Sequence, residues 1–332
     1  MLSYRLLIHG RERRQNMKEL HGTEWYGEYA KLMNEQNDYV LIEYTCNGTG
    51  NLYDYALFPG IHLIFMDFNC SDTFHEPIPN KEIIEIRHYQ KGRVEFELRN
   101  NKVFHMKEGE FCINALANIP AAYSFPFGYS VGLSCVIEKD AVDAQTKKIF
   151  SYYNIDVLSL GRELELEKRW FLCRTPQRLL HIFDELYAAK GVEGRDYFRI
   201  KLLELFYHIQ QLRIEDQYEA TYYTKEQIDI IKRIRQELIE NLDKKLSIEE
   251  LLRKEPMSKV TFQTIFKQIY GDTPYAHIKK YKMNLAAVYL QDIDRSITQI
   301  AGELGYSNSS KFAKAFQEVF GMLPKDYRKA KK

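Results

Sequence analysis

A spaced pattern of residues occurs twice in the last third of the chain, and it limits the possible folds more than any other feature. The repeated set shares residue types and spacing: Phe262, Phe266, Gly271 and Pro274, then fifty residues later Phe312, Phe316, Gly321 and Pro324. Four identities at one offset indicate a duplicated unit. Upstream the offset becomes forty-nine, and the one-residue difference falls where each unit is expected to turn between helices.

Each copy carries the local signals of two short helices joined by a turn. A capping box opens each copy, with Ser247 and Glu250 in the first and Ser296 and Gln299 in the second. A turn follows, at Pro256-Met257 in the first copy and at Gly305-Tyr306 in the second. The second helix then carries two phenylalanines four residues apart, which share one buried face. The pattern predicts two helix-turn-helix units.

The segment between the two units predicts one long connecting helix. Thr273 is a suitable N-cap and Pro274 a suitable first residue, and one face would carry Ile278, Tyr281, Leu285 and Val288. If this helix holds the two units about 34 Å apart, their second helices would enter successive major grooves of double-stranded DNA.

The outward residues of the two second helices are the candidate DNA contacts. We expect them to be Lys259, Thr261, Gln263 and Lys267 in the first unit, and Asn308, Ser309, Ser310, Lys311 and Lys314 in the second. Gln and Asn pair with adenine edges, and Lys reaches guanine or phosphate. A solvated surface is the alternative role for each lysine.

At these positions the sequence resembles the C-terminal signature of the AraC/XylS family of transcription regulators, over residues 248–328. The match is strongest at Ile300-Ala301, Gly305-Tyr306-Ser307, Phe312, Phe316, Gly321, Pro324 and Tyr327-Arg328. The first unit departs from the family pattern at Leu252, Glu255 and Pro256. The resemblance implies a cupin-type N-terminal barrel used for sensing or dimerisation, binding to promoter DNA, and contact with RNA polymerase.

The charge of the chain is divided unequally. Residues 222–332 contain 21 Lys and Arg against 14 Asp and Glu, a net charge of +7, so residues 1–221 carry −6 of the overall +1. The basic part suits a polyanionic partner. No run of about 18 apolar residues predicts a membrane span, and the N-terminus lacks a signal-peptide core, so we expect a cytoplasmic protein.

Alternating apolar residues dominate the first half of the chain. Residues 61–137 alternate with turn signals near Lys91-Gly92, Asn100-Asn101 and Glu108-Gly109, which predicts an antiparallel sheet closed as a sandwich or small barrel. The expected class is α+β multidomain, with an N-terminal antiparallel β domain of cupin-like barrel type, a helical segment, and an all-α C-terminal domain. The expected divisions are an arm or over-called start at 1–22, a sensor at 23–160, helices at 161–212, a linker at 213–223 and the DNA-binding domain at 224–332.

Two helices are expected at 176–190 and 194–213, separated by Gly191 and Gly194. The second has an apolar stripe formed by Leu202, Leu205, Ile209 and Leu212. This stripe either packs on its own domain or forms a homodimer contact, and both alternatives stay open.

Catalytic and metal-binding motifs find no support in the first domain. The histidines His62, His75, His88 and His105 lack the spacing of a three-ligand set, and no phosphate-binding or nucleophile motif occurs. We expect no metal, no cofactor and no enzymatic activity. The five cysteines are widely spaced and odd in number, which favours reduced thiols.

Arg87, His88 and Tyr123 are candidate polar groups of an apolar effector pocket, with a simple aromatic core as the alternative.

The sequence supports three hypotheses about function. The first is a DNA-binding transcription regulator controlled by a small ligand in the N-terminal domain. The second is a cupin-type metalloenzyme with a DNA-binding tail, and the third is a regulator controlled by dimerisation without a ligand.

Overall fold

A computed structural model describes residues 29–35, 38–75, 82–115, 118–244 and 246–330, without the side chains of residues 32–35. The chain divides into two compact units between Tyr222 and Tyr223. The predicted arm at residues 1–22 lies outside the described residues. Among the described residues, no helix combines the length and the apolar character needed to cross a lipid bilayer.

The N-terminal unit is built on antiparallel strands. They are β1 (Ala30–Glu35), β2 (Val40–Tyr44), β3 (Gly48–Phe58), β4 (Ile61–Cys70), β5 (Thr73–His75), β6 (Ile83–Gly92), β7 (Val94–Glu97), β8 (Lys102–Met106), β9 (Glu110–Ala115), β10 (Ala122–Ser124), β11 (Ser130–Glu138) and β12 (Phe171–Arg174). A large sheet has the order β1-β2-β3-β4-β11-β6-β9-β12, and a smaller one contains β8-β7-β10-β5. The predicted antiparallel domain is therefore confirmed.

The predicted turns lie at positions that require left-handed backbone. Gly92 and Gly109 have φ values of 84° and 76°, and Asn101 has a φ of 59°. Such values are routine for glycine and tolerated by asparagine, which explains why these residues mark the ends of strands. The hairpin of β7 and β8 places Phe96 opposite Phe104.

The two sheets enclose an aromatic core, but neither closes on itself within the described residues. The inter-sheet core combines Phe68 of β4 with Phe74, Phe96 and Phe104 of the smaller sheet, and Trp170 packs 5.0 Å from Phe96 and from Phe104, centroid to centroid. The closed form of the predicted barrel is therefore not confirmed.

Helices cover the opposite face of the large sheet. They are α1 (Ala144–Tyr152), α2 (Leu160–Glu163), α3 (Gln177–Ala189) and α4 (Arg195–Ile209). The predicted dimer stripe, Leu202, Leu205, Ile209 and Leu212, is at most 1% exposed and packs within this core. We therefore correct the dimer prediction for these four residues, because their surface is already used to hold the helix on its own sheet.

The predicted linker at 213–223 is ordered over most of its length on the N-terminal unit. The Tyr218 amide donates to the Leu172 carbonyl at 2.9 Å, and the Tyr218 hydroxyl donates to Glu110 Oε2 at 2.9 Å. Tyr222 packs on Phe104 with ring centroids 5.7 Å apart. These aromatic side chains make residues 218–222 part of the N-terminal unit.

The C-terminal unit is helical. Its helices are α5 (Lys225–Glu240), α6 (Ile248–Leu252), α7 (Lys259–Tyr270), α8 (Pro274–Tyr289), α9 (Ile297–Glu303), α10 (Ser309–Phe320) and α11 (Pro324–Ala330). The order α6-turn-α7, α8, α9-turn-α10 confirms the two predicted helix-turn-helix units and the connecting helix. We call α6 and α7 the first unit, and α9 and α10 the second unit.

Candidate nucleic-acid interface

In the first unit, side-chain caps and a glycine fix the ends of the helices. Ser247 Oγ accepts from the Glu250 amide at 3.1 Å, and the cap of α7 is Ser258, whose hydroxyl accepts from Thr261. Helix α7 ends at Gly271, which adopts a φ of 80° that favours glycine. Between these ends, Phe262 and Phe266 are fully buried, so the opposite side of α7 is directed outward.

The second unit repeats this construction with a complete capping box. Ser296 Oγ accepts from the Gln299 amide at 3.1 Å, and Gln299 Oε1 accepts from the Ser296 amide at 2.8 Å. Phe312 and Phe316 are fully buried. The repeat in the sequence therefore encodes two outward helices, each held by a serine N-cap in its unit and by a buried pair of phenylalanines.

The turn of the second unit requires glycine. Gly305 has a φ of 75°, and a Cβ atom at this position would stand 2.5 Å from the carbonyl oxygen of Leu242. The turn thus lies directly against the segment that follows α5. Only a residue without a side chain permits this approach.

Arg328 fixes the end of the second unit to the connecting helix. Its Nε donates to the Leu290 carbonyl at 3.1 Å, and a terminal nitrogen donates to the Arg295 carbonyl at 2.7 Å. The neighbouring Tyr327 packs on Phe316 and Phe320, with ring centroids 5.4 and 5.3 Å away. This Tyr-Arg pair therefore holds α11 in place.

The connecting helix buries a different face from the one predicted. Met283, Ala286 and Leu290 are fully buried in the core of the second unit, whereas Tyr281 and Val288 are 36% and 59% exposed. The small side chain of Ala286 allows the helices to approach closely, so the buried stripe is not the one with the largest apolar residues. At its other end, α8 places His277 against Phe266 and Tyr270, and burial lowers the pKa of His277 to about 4.

The outward side of α7 carries a mixture of polar and apolar groups. Of the predicted contacts, Lys259, Gln263 and Lys267 are exposed, and Lys259 forms an ion pair with Glu249 of α6. Thr261 is only half-exposed, and its hydroxyl lies 2.8 Å from Ser258 Oγ. It therefore takes part in the helix cap, and its hydroxyl is not fully available to DNA.

The outward side of α10 also carries two lysines. Ser310, Lys311 and Lys314 are exposed, and Lys311 Nζ donates to Ser307 Oγ at 3.3 Å. Two other predicted contacts have local roles. Asn308 caps α10 by accepting from the Lys311 amide at 2.9 Å, and Ser309 is half-buried with its hydroxyl 3.0 Å from that of Thr298.

Three further residues lie on these outward faces, and the sequence interpretation missed them. Val260 is 73% exposed on α7, and Thr264 and Gln317 are exposed on α7 and α10. The offset of fifty between the units was the available signal. It aligns Thr264 with Lys314 and Gln317 with Lys267, and both lysines are predicted contacts.

The predicted effector residues do not converge. Arg87 lies over the Phe96 ring at 5.4 Å in the inter-sheet core, and Tyr123 stacks on Phe74 there. His88 points to the opposite face of β6, where it stacks on Phe183 at 4.1 Å. Since neighbouring strand residues point to opposite faces, His88 cannot share a pocket with Arg87, and we correct that part of the prediction.

His88 has the environment of a neutral core histidine. The Tyr187 hydroxyl donates to the His88 carbonyl at 3.0 Å and lies 3.0 Å from Nδ1, so Nδ1 carries the proton. Burial lowers the pKa of His88 to about 4. Two other histidines pair with carboxylates: His62 Nδ1 is 2.8 Å from Asp54, and His105 Nε2 is 2.9 Å from Glu95. No group of three metal-ligating side chains forms within the described ranges.

A family model and several curated regulators are similar to this chain. A family model described as a helix-turn-helix domain matches residues 251–330. The regulatory protein SoxS of Salmonella typhimurium is 32% identical over 99 residues, which are 30% of this chain and 92% of SoxS.

Two longer regulators match a similar share of the chain. The regulator AlkR of Acinetobacter baylyi is 35% identical over 86 residues, 26% of this chain and 28% of AlkR. The XylDLEGF operon transcriptional activator 1 of Pseudomonas putida is 31% identical over 104 residues, 30% of this chain and 31% of that protein. This chain thus matches less than a third of either regulator's length. The repeated units, the signature residues and the match to nearly all of SoxS agree, and the chain belongs to the AraC/XylS family of transcription regulators.

Proposed function

We propose that the protein is a sequence-specific transcription regulator that binds double-stranded promoter DNA with α7 and α10. The duplicated helix-turn-helix carries this proposal, because it presents two outward helices on either side of one connecting helix in a region of net charge +7. At 1.5 Å per residue, the 16-residue α8 is about 24 Å long. Successive major grooves on one DNA face are about 34 Å apart, and α8 with the width of its flanking units suits that spacing.

A sequence-specific DNA-binding protein must attach to the phosphate backbone and also recognise bases, and the outward side chains suit both tasks. Lys311 and Lys314 provide cations for phosphate or guanine, and Gln263 provides a paired donor and acceptor for adenine. Val260 adds an apolar surface that fits a thymine methyl group. The proposed interface therefore comprises the nine predicted contacts together with Val260, Thr264 and Gln317.

The experiment is a pull-down of genomic fragments with the purified chain at about physiological salt. We expect enrichment of a few promoter fragments, and loss of that enrichment in a Lys311→Ala, Lys314→Ala double variant. The matched control is Lys147→Ala, Lys148→Ala, which removes two exposed lysines from α1 of the other unit. Equal loss in both double variants would show that net charge alone is responsible, and uniform recovery of all fragments would refute sequence-specific binding.

Salt dependence tests the same interface independently. Each phosphate neutralised by a lysine contributes about −0.9 to the slope of log K against log salt on duplex DNA. If Lys311 and Lys314 both contact phosphate, the double variant loses about two units of slope. An unchanged slope together with lost specificity would assign these lysines to bases.

We also propose that a small polar effector binds between the two sheets, in a domain that has a cupin-like arrangement without being a closed barrel. Asn114 is fully buried, and neither polar atom of its side chain has a hydrogen-bond partner within the described residues. Its cross-strand partner is Glu85. The Oε1 atom of Glu85 lies 2.6 Å from Arg87 Nε and accepts a hydrogen bond from Ser134 Oγ at 2.5 Å. An unsatisfied buried polar group costs about 1–3 kcal/mol, and a ligand with both donors and acceptors would relieve that cost.

This effector proposal is tested by thermal unfolding of the chain with a panel of sugars and amino acids. A stabilising compound should lose its effect in Asn114→Leu, whereas Asn69→Leu on the exposed side of β4 should respond as the original chain does. A compound that stabilises both variants equally binds elsewhere. We further propose RNA polymerase and a second copy of the chain as partners, with a homodimer surface other than the buried stripe of α4.

A further inference from the structure

The C-terminal unit contains a cavity that the DNA-reading surface does not use. Its volume is about 340 Å³, and it lies between the end of α5, the segment before α6, the first half of α8 and the turn of the second unit. Sites for small molecules typically measure about 300–1,000 Å³. The cavity is therefore large enough for a compact organic ligand.

Part of the cavity wall is apolar. Leu238, Leu242, Ile248 and Ile278 contribute branched aliphatic side chains, and Tyr306 contributes an aromatic ring. Leu242 is buried, while Ile278 and Tyr306 are only partly covered by the chain itself. Burying the remaining apolar surface against a ligand is favourable by the hydrophobic effect.

The rest of the wall is cationic. Lys244, Lys279 and Lys282 line the cavity, and none of the described residues that line it is a carboxylate. Lys279 is paired with Glu318 outside the lining, and Lys244 Nζ donates to the neutral side chain of Asn241 at 2.7 Å. The positive charge at the cavity is thus only partly compensated.

Lys282 has the environment that most favours an anion. Its ammonium lies 5.6 Å from the centroid of the Tyr306 ring, and the side chain is half-buried. Burial lowers the pKa of Lys282, an effect that Asp243 opposes. An anion placed in the cavity would compensate the desolvated charge.

We propose that this cavity binds a small organic anion with a compact apolar body. The anionic group pairs with the Lys282 ammonium, and the apolar part packs between Leu242 and Ile278. The site is separate from the inter-sheet effector region of the other unit.

The position of the cavity gives this ligand access to both DNA-binding units. Its wall includes Gly305 and Tyr306 of the second unit's turn and also the end of α5, which packs on α7. A bound molecule therefore restrains the second unit relative to the first and changes DNA affinity. This regulatory consequence alone rests on the proposed function.

The test is a calorimetric titration of the full chain, without DNA, with octanoate as the probe and octan-1-ol as its neutral match. We expect octanoate to bind with a dissociation constant of about 1 mM or tighter. Lys282→Met, which removes the charge and keeps the apolar stem, should weaken binding about tenfold or more, as expected for one hydrogen bond to a charged group. Lys329→Met, an exposed lysine outside the cavity, is the charge-matched control and should bind normally.

Isoleucine methyl resonances locate the bound probe. Signals of Ile248 and Ile278, which line the cavity, should shift during the titration, and that of Ile300, buried in the core of the second unit, should not. Equal affinity for octanol, unchanged affinity in Lys282→Met, or unshifted Ile248 and Ile278 signals would each overturn the proposal. Because no DNA is present, any of these results leaves the proposed DNA binding to be judged by its own experiment.

Discussion

Gly305 and Gly321 offer a matched pair for testing how the second unit is held together. Both have left-handed backbone, with φ values of 75° and 74°. They differ in their surroundings, since a Cβ atom on Gly305 would meet the Leu242 carbonyl oxygen at 2.5 Å, while one on Gly321 would meet nothing within 4 Å. Changing each to alanine therefore separates the cost of backbone conformation from the cost of the close approach.

The expected magnitudes follow from these two contributions. A left-handed alanine costs about 1–2 kcal/mol of folding free energy, which should be the whole effect of Gly321→Ala. Gly305→Ala carries the same penalty and must also displace the backbone at Leu242, which adds about 1–3 kcal/mol by analogy with overpacked cores. The C-terminal unit should therefore lose about 2–5 kcal/mol in the Gly305 variant. Its DNA affinity should fall as well, because the turn that positions α10 is displaced.

Urea unfolding of the full chain measures both variants. Both tryptophans, Trp25 and Trp170, precede residue 222, so tryptophan fluorescence follows the N-terminal unit, whereas far-ultraviolet circular dichroism also detects the C-terminal helices. We expect a dichroism transition that moves to lower urea in both variants and moves further in Gly305→Ala, with an unchanged fluorescence transition. Equal losses in the two variants, or a larger loss in Gly321→Ala, would refute the steric reasoning.

Three other perturbations have defined outcomes. Arg328→Met removes two hydrogen bonds from a charged donor and should destabilise the C-terminal unit by about 2–4 kcal/mol in urea unfolding, while Lys329→Met, its exposed neighbour, should change it by less than about 0.5 kcal/mol. Without ligand, Asn114→Leu should raise the unfolding free energy of the N-terminal unit by about 1–2 kcal/mol, and a decrease would mean that the amide has a partner in solution. In the folded chain the pKa of His88 is about 4, below its ordinary value of 6.5. The imidazole therefore takes up a proton more readily in the unfolded chain, and the free energy of unfolding should fall as the pH drops from 6.5 towards 4. His88→Phe should flatten that fall in tryptophan-monitored unfolding, whereas the exposed His75→Gln should not.

Local signals in the sequence determined what could be predicted of the C-terminal unit. The hydroxyls of Ser247 and Ser296 and the left-handed glycines at 271 and 321 act within a few residues, so their spacing alone revealed where helices begin and end. The buried face of α8 depends instead on the closeness of another helix. Ala286 buries little surface of its own, and its importance becomes apparent only when the packing partner is known.

The N-terminal unit illustrates the same division between local and distant information. Strands and turns were evident from alternation, but the pairing of Glu85 with Asn114 joins residues far apart in the chain and could not be inferred from either segment. Nor did the sequence show that α3 would place Phe183 over His88. The opposite directions of Arg87 and His88, however, follow from their adjacency in a strand, and alternation alone could have separated them.

The single connecting helix α8 limits how the DNA sites of this protein can be arranged in a genome. Because α8 is one continuous helix, it limits the distance and the angle between the two units. One extra base pair between their target sequences would rotate the second target by about 34° around the duplex. Because α7 and α10 present different side chains, a DNA site contacted by both helices as proposed would have two different halves. The binding sites of one chain should therefore be asymmetric, with a constant internal spacing, and their orientation relative to a gene should decide which neighbouring promoter the protein can serve.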